Sequence, residues 1–380
     1  MKAGLSTDNF PRAVFASVLG RAILKRSSAN KASKPTAEIV FGNEAVEQRQ
    51  FLDLSYPMDH GVIQKWDDME LLWEHTFKDC LKVNDLNGRR ILLTEPPLNP
   101  KKNRERMVQT MFETFGFGGV HVGVQAVMTL YAQGLQTGVV VDAGDGVTHI
   151  VPVFDGYALP HLTRRLDIAG RDITRQLVQL LFNRGYQQSF HSDSDLETVR
   201  KIKEQLCFVS ADLDIDRRLG RETTALLSEY HISGNGDRPL KLKLAEERFE
   251  APEILFQPSL IGKECPGLAE QLFLTIQGAD MDLRSELYRN IVLSGGSTMF
   301  PGLPTRLERD LRDLHTKRIA GGTASNKLKI KILDPPKRKH AVFTGAAVLA
   351  DLMADNAAFW ISKQEWDEQG ARIIDLKMPR

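Results

Sequence analysis

The chain has 380 residues, with 50 Lys and Arg against 49 Asp and Glu, and 42% of it is hydrophobic. That length suits two or more domains with separate cores, and the balanced charge gives no general attraction to nucleic acid or to an anionic membrane. No apolar run approaches the roughly 20 residues of a spanning helix, and the three scattered cysteines, Cys80, Cys207 and Cys265, suggest neither a disulfide framework nor a zinc site and fit a reducing cytosol.

Met1 to Ser6 carries no apolar stretch of the kind a secretory signal needs. Residues 12–24 are mainly small and apolar, and the polar, basic segment Lys25 to Thr36 predicts an exposed loop or flap. Tyr56-Pro57 leads into His60-Gly61. From Trp66-Asp67-Asp68 onward, the spacing of Met69, Leu72, Trp73 and Phe77 predicts a surface helix with Asp67 or Asp68 as its cap. Arg90 to Leu93 reads as a buried strand, stopped at Glu95-Pro96-Pro97 because proline cannot continue a central ladder. A helix starting near Asn99 carries Met107, Met111 and Phe112 as its apolar stripe. Val120, Val122 and Val124 then alternate as a short strand, and Gln125 stands where that strand passes into the helix Ala126 to Gln133.

Gly138 to Val141 is the clearest buried strand, followed by the turn Asp142-Ala143-Gly144-Asp145-Gly146 and a returning strand with Thr148, Ile150 and Val153. Helices are expected near Asp172 to Leu181 and over Leu196 to Phe208. The polar loop Ser233 to Asp237 separates Tyr230 from a strand at Leu240 to Leu244. Ile291 to Leu293 repeats the strand-then-glycine arrangement, ending in Ser294-Gly295-Gly296-Ser297-Thr298 before a helix over Leu303 to Leu314. Lys327 to Ile332 alternates as a strand, Pro335-Pro336 breaks it, and the small-residue helix Ala341 to Met353 suits close packing against a sheet. This order predicts an α/β fold of two lobes with glycine turns facing each other.

In the first turn, glycines allow backbone amides to approach phosphate oxygens while Asp142, at a strand end, can orient Mg²⁺ or its waters. A tight hairpin would use the same residues. The second turn can hold a nucleotide by backbone contact, or simply cap the next helix. Gln125 and His149 can position water for attack on a terminal phosphate without carrying permanent charge, although a single histidine after Thr148 is also an ordinary structural residue. Lys203 and Glu204 lie on an amphipathic helix with Ile202, Leu206 and Val209, where solvated charge is the default. Pro335-Pro336-Lys337-Arg338-Lys339 is a basic strand exit, too short to argue for nucleic acid and readable as a surface turn.

Over nearly the whole chain these residues resemble the actin superfamily. The resemblance is carried by Tyr56-Pro57, Trp66-Asp67-Asp68-Met69, Leu93-Thr94-Glu95-Pro96-Pro97, Asp142 to His149 and Leu166-Asp167-Ile168-Ala169-Gly170-Arg171-Asp172. Pro160 to Arg165, Arg248 to Glu253 and Gly302 to Leu307 look more like actin-related members than like actin itself. The resemblance implies an actin-like ATPase fold, two lobes of two subdomains around a nucleotide cleft. Subdomain 1 would take residues 1–16, 54–126 and 321–380, subdomain 2 residues 17–53, subdomain 3 residues 127–164 and 262–320, and subdomain 4 residues 165–261.

It also implies ATP and Mg²⁺ as cofactors. Asp142 would orient the metal's water shell, Gly144 and Gly146 would contact phosphate, and Asp145 would contact ribose. Gly170, Lys203 and Glu204 look like ribose and adenine contacts, with Gly296, Met299, Phe300 and Lys339 completing the adenosine side. Gln125 and His149 resemble the residues that arrange the hydrolytic water, and Lys2 a phosphate-contacting lysine. The implied partners are actin, the other subunits of a complex that nucleates branched actin filaments, and nucleation-promoting factors. The implied place is the cytoplasm at the cortical cytoskeleton, with at most slow regulatory ATP hydrolysis. An actin-like scaffold of another cytoskeletal or chromatin assembly is the alternative; a sugar kinase would need a general base that no residue here supplies. Family members begin with a strand and a first phosphate loop containing an aspartate and glycines, whereas this sequence opens at Lys2-Ala3-Gly4. The expectation is a true start further upstream, against the rival of a degenerate scaffold that binds nucleotide weakly.

Overall fold

The computed structural model describes residues 1–22, 39–49, 51–59, 61–186, 193–232, 240–319, 321 and 329–378. The expected loops Lys25 to Thr36 and Ser233 to Asp237, His60, and Lys327 and Leu328 of the expected strand lie outside the described residues. Two units are distinguished, residues 1–135 with 340–380, and residues 136–339.

In the first unit, β1 (Leu19–Ala22) lies between two antiparallel neighbours, β2 (Ile39–Phe41) and β3 (Leu52–Ser55). Next comes α1 (Trp66–His75), which buries Trp66, Met69, Leu72 and Trp73 as the spacing predicts. Its cap position is Lys65, with no side-chain cap. Asp68 is buried instead, accepting a hydrogen bond from Ser55 Oγ at 2.5 Å and pairing with Arg21 of β1. The expected aspartate cap is therefore corrected: a guanidinium and a hydroxyl from the neighbouring sheet satisfy the carboxylate better than one helix amide would.

β4 (Arg90–Glu95), α2 (Lys101–Glu113) and β5 (Gly119–Val124) form a crossover in which the two strands pair in parallel. β5 is the central strand, because Ile361–Ser362 pairs on its far side. It is covered on both faces from Gly119 to Gly123, so the alternation of its valines marks no exposed face, while β4 is a half-buried edge rather than the buried strand expected. Glu95 closes the strand by accepting from Arg104 Nε at 2.7 Å and Asn99 Nδ2 at 2.8 Å, and Arg104 also reaches Met378 O at 2.7 Å. The helix α3 (Gln125–Tyr131) follows β5 directly. Against it packs the helix Ala341–Leu352, where a Cβ on Gly345 would lie 1.7 Å from Met128 O. Small residues here admit a helix backbone, and the same helix also packs against β4 of the sheet, as expected.

The second unit is built on β6 (Gly138–Ala143), which returns antiparallel as β7 (Thr148–Phe154), itself paired with β8 (Arg164–Leu166). The helices that follow include α4 (Gly170–Asn183), α5 (Asp193–Leu206) and α6 (Glu247–Glu253), and further along the chain come β9 (Ile291–Ser294), α7 (Leu303–Arg318) and β10 (Ile332–Leu333). β9 runs parallel to β6, and β10 parallel to β9. Val139, Val141, Ile150 and Leu293 share one core with Ile173, Leu177 and Leu307 from the helices. Among the described residues of the expected strand Lys327 to Ile332, Ile332 alone enters the ladder, which continues to Leu333, and Ile330 is buried beside it.

Two stretches that look actin-related in sequence meet here. Arg306 of α7 makes a two-pronged pair with Glu253 of α6, Nη1 to Oε2 at 3.1 Å and Nη2 to Oε1 at 2.9 Å, while its Nε reaches Asp310 at 2.9 Å. Both partners of the pair are buried, so each charge is tolerated only because the other is present. That makes α6 and α7 a matched pair.

Candidate functional site

β6 and β9 are adjacent and parallel, so their C-terminal ends deliver the two glycine turns side by side; ligands of open α/β sheets characteristically bind beyond such ends. Asp142, half-buried, is registered with Ser294 on one side and His149 on the other. The first turn closes on itself through Gly144 N to Val147 O at 3.0 Å. Ser297 Oγ then donates to Gly144 O at 2.6 Å and ties the second turn to the first. Gly144 O also accepts from Gly170 N at 3.1 Å, and Arg171 N donates to Asp145 O at 2.8 Å, so the start of α4 is docked onto the same turn.

Gly170 is the point where these parts converge. A Cβ there would sit 2.6 Å from Ser297 Oγ, 3.3 Å from Gly144 O and 3.4 Å from Lys203 Nζ. Any side chain would wedge the turns apart. Lys203 is buried and donates from Nζ to Gly170 O at 2.8 Å and Thr174 Oγ1 at 3.0 Å. Burial lowers its pKa, opposed by the Asp145 and Glu204 carboxylates. The default of a solvated helix charge therefore fails for Lys203 and holds for its neighbour Glu204, which is exposed and accepts from Arg200 Nε at 3.1 Å. Asp145 is exposed and pairs with Arg171 Nε at 3.2 Å.

The remaining candidates are distributed as follows. His149 is buried, and desolvation, with the Arg165 guanidinium adding to it, holds its pKa down to about 4 against the opposing Asp167. It is a neutral imidazole at physiological pH. Gly296 is exposed with open space around it, Met299 is exposed, and Phe300 is buried in the core. Lys339 is exposed at the end of this unit, and Gly146 is half-buried in the first turn. In the first unit, Gln125 is half-buried at the first position of α3, and Lys2 is exposed in the short strand Lys2–Ala3, paired with Val14. Among the described residues no group of three or more His, Cys, Asp or Glu could hold a metal by itself. A single half-buried carboxylate at a strand end still fits Mg²⁺, which keeps most of its waters and is usually bound through one or two carboxylates plus phosphate.

Reading by residue type missed three contributors. Ser297 was part of a recognised turn, but its hydroxyl matters only because Gly144 lies 153 residues away in sequence and beside it in space. Thr174 supports Lys203 from α4. Arg338, read as part of a surface turn, is buried and clamps the second turn through Nε to Thr298 Oγ1 at 3.0 Å and Nη2 to Thr298 O at 2.6 Å. A lone arginine in a basic run gives no signal of this.

Lys203→Met should therefore do more than remove a charge. It withdraws two buried donors, and although Gly170 O keeps the Thr174 hydroxyl as a donor, a cost of about 1–2 kcal/mol is expected. Urea unfolding of the variant reads this directly; a change below a few tenths would mean that the lysine does not brace the turn.

The chain belongs to the actin family: it matches the family Actin over residues 1–379. Among individual proteins it is similar to Actin-related protein 2 of Saccharomyces cerevisiae, at 53% identity over 382 aligned residues covering 100% of this chain and 96% of the relative. It is likewise similar to Actin-related protein 2 of Schizosaccharomyces pombe (51%, 100% and 96% covered) and of Acanthamoeba castellanii (50%, 98% and 95% covered).

Proposed function

We propose that this chain binds ATP with Mg²⁺ and serves as an actin-related subunit of a complex that nucleates branched actin filaments, hydrolysing ATP slowly as a regulatory step. The nucleotide part rests on one observation, the Ser297 to Gly144 hydrogen bond that joins the turns after β6 and β9. Two backbone turns held at fixed separation can grip a phosphate chain without reorganising when it arrives. The assembly part rests on likeness along the whole length to three proteins named Actin-related protein 2.

In this reading Asp142 would hold Mg²⁺ through its waters, and Gly144 and Gly146 would let the turn approach phosphate closely, Gly144 without its own N–H, which Val147 O already takes. Lys203 braces Gly170; Asp145 would contact ribose, Gly170, Lys203 and Glu204 ribose and adenine, and Gly296, Met299, Phe300 and Lys339 would complete the adenosine side. Lys2 meets phosphate. When bound, Mg²⁺ neutralises charge on the phosphate oxygens. His149, kept neutral by burial, orients a water by hydrogen bonds alone, the role proposed also for Gln125. Nucleation-promoting factors are the regulatory partners and the cell cortex the place of action.

Asp142→Ala is expected to weaken Mg²⁺-dependent ATP binding by at least about tenfold, a loss of roughly 1.4 kcal/mol. Equilibrium titration with and without Mg²⁺ checks this, and unchanged metal dependence would make the turn structural only. Affinity isolation from the source organism tests the assembly: recovery with chromatin subunits and no cytoskeletal ones would reject it.

A further inference from the structure

The end of α1 departs from α-helical geometry. Thr76 to Cys80 form a π turn, in which Leu81 N bonds back to Thr76 O at 3.0 Å, and the chain leaves through Lys82 at φ +55°. In an α-helix, residues five apart point about 140° away from one another. The wider π turn brings positions i and i+5 almost above each other, and such turns recur at functional sites.

His75 and Cys80, five apart, are brought together in this way, and Asp79, four after His75, joins them at ordinary helical spacing. His75 Nδ1 lies 2.7 Å from Asp79 Oδ2, and Cys80 Sγ lies 3.5 Å from His75 Nε2. A carboxylate only accepts, so Asp79 fixes the proton on Nδ1 and turns the Nε2 lone pair toward the thiol. The ring is held in place by Phe41, stacked on it at 4.5 Å with a 9° interplanar angle, and by the edge of Phe15 at 5.8 Å. Burial raises the Cys80 pKa, and the Asp79 charge adds to the rise. The resting group is thus a thiol, and attack requires a base at the moment of reaction.

We infer that Asp79, His75 and Cys80 form a base-assisted thiol site that exchanges with small disulfides, storing a mixed disulfide on Cys80 in the first unit. The spatial order of carboxylate, imidazole and nucleophile is the general arrangement for activating a weak nucleophile. In the step, the Cys80 S–H bond breaks and its proton passes to His75 Nε2. Sγ bonds to the nearer sulfur of the incoming disulfide, whose S–S bond breaks with the electron pair leaving on the far sulfur. That thiolate takes the proton from His75. Cys80 is oxidised to the mixed disulfide and the small disulfide is reduced to one thiol, so no further oxidant is needed.

The test is the rate of labelling of the full chain by oxidised glutathione, read at each cysteine by peptide mass spectrometry. Cys265, also half-buried, serves as the internal reference. Cys80 is expected to react at least about tenfold faster than Cys265. His75→Phe, which keeps an aromatic ring against Phe41, should lower the Cys80 to Cys265 ratio by about tenfold, and Asp79→Ala, at an exposed position, by several-fold. Equal rates at the two cysteines in the unaltered chain overturn the inference. So does a ratio within twofold of the unaltered chain in both variants.

Discussion

Replacing Gly295 with alanine is expected to destabilise the second unit by about 4 kcal/mol or more and to abolish the proposed ATP binding with it. Gly295 sits at φ +90° and ψ 159°, a region that residues with a Cβ rarely adopt. A methyl group there would also lie 2.2 Å from Ala143 O and 2.6 Å from Ala143 C. Those atoms belong to the backbone of β6, so nothing flexible can yield. Either the central strand shifts, or the turn swings away and Ser297 loses Gly144. Its neighbour is the control. At Gly296 a Cβ meets nothing within 4 Å, so Gly296→Ala should change stability by less than about 1 kcal/mol. Urea unfolding followed by far-ultraviolet circular dichroism compares the two. Equal effects would mean that the turn after β9 is not held where the hydrogen bonds place it.

The second large effect is expected on mild acidification. His121 of β5 and His149 of β7 are both buried, and both have their pKa held down to about 4. For His121 the main cause is desolvation, with Arg104 adding to it and the hydrogen bond to Phe359 O opposing it. Unfolded, each imidazole titrates near its ordinary value of 6.5. Between those values the unfolded chain binds protons that the folded chain refuses. Stability from these groups is therefore complete above about pH 6.5, falls as pH drops toward 4, and changes no further below that. The shifts correspond to about 3 kcal/mol for each histidine.

The two units can be read separately in this experiment. All four tryptophans, Trp66, Trp73, Trp360 and Trp366, belong to the first unit. Indole fluorescence thus follows the unit containing His121, and circular dichroism follows both. Urea midpoints should be lower at pH 4.5 than at pH 7.5, and His121→Phe should flatten the fluorescence-detected slope. Identical midpoints at the two pH values would contradict the burial of both imidazoles in neutral form.

The sequence by itself determined that two apolar strands, Gly138 to Val141 and Ile291 to Leu293, each run into a glycine turn, and that Asp142 stands at the end of the first. Strand propensity and glycine punctuation are local properties, written in consecutive residues. For the same reason the helices over α2, α4, α5 and α7 were legible within a few residues. Only the tertiary structure decided that β6 and β9 are parallel neighbours, so that Ser297 reaches Gly144. It also decided that Gly295 rather than Gly296 is conformationally obliged, that Lys203 is buried while Glu204 is solvated, and that Asp68 pairs with Arg21 instead of capping α1. Helical periodicity records which face of an element is covered. It does not record which atom, 47 or 153 residues away, does the covering, and hydrogen bonds, charge burial and backbone clashes are set by that atom.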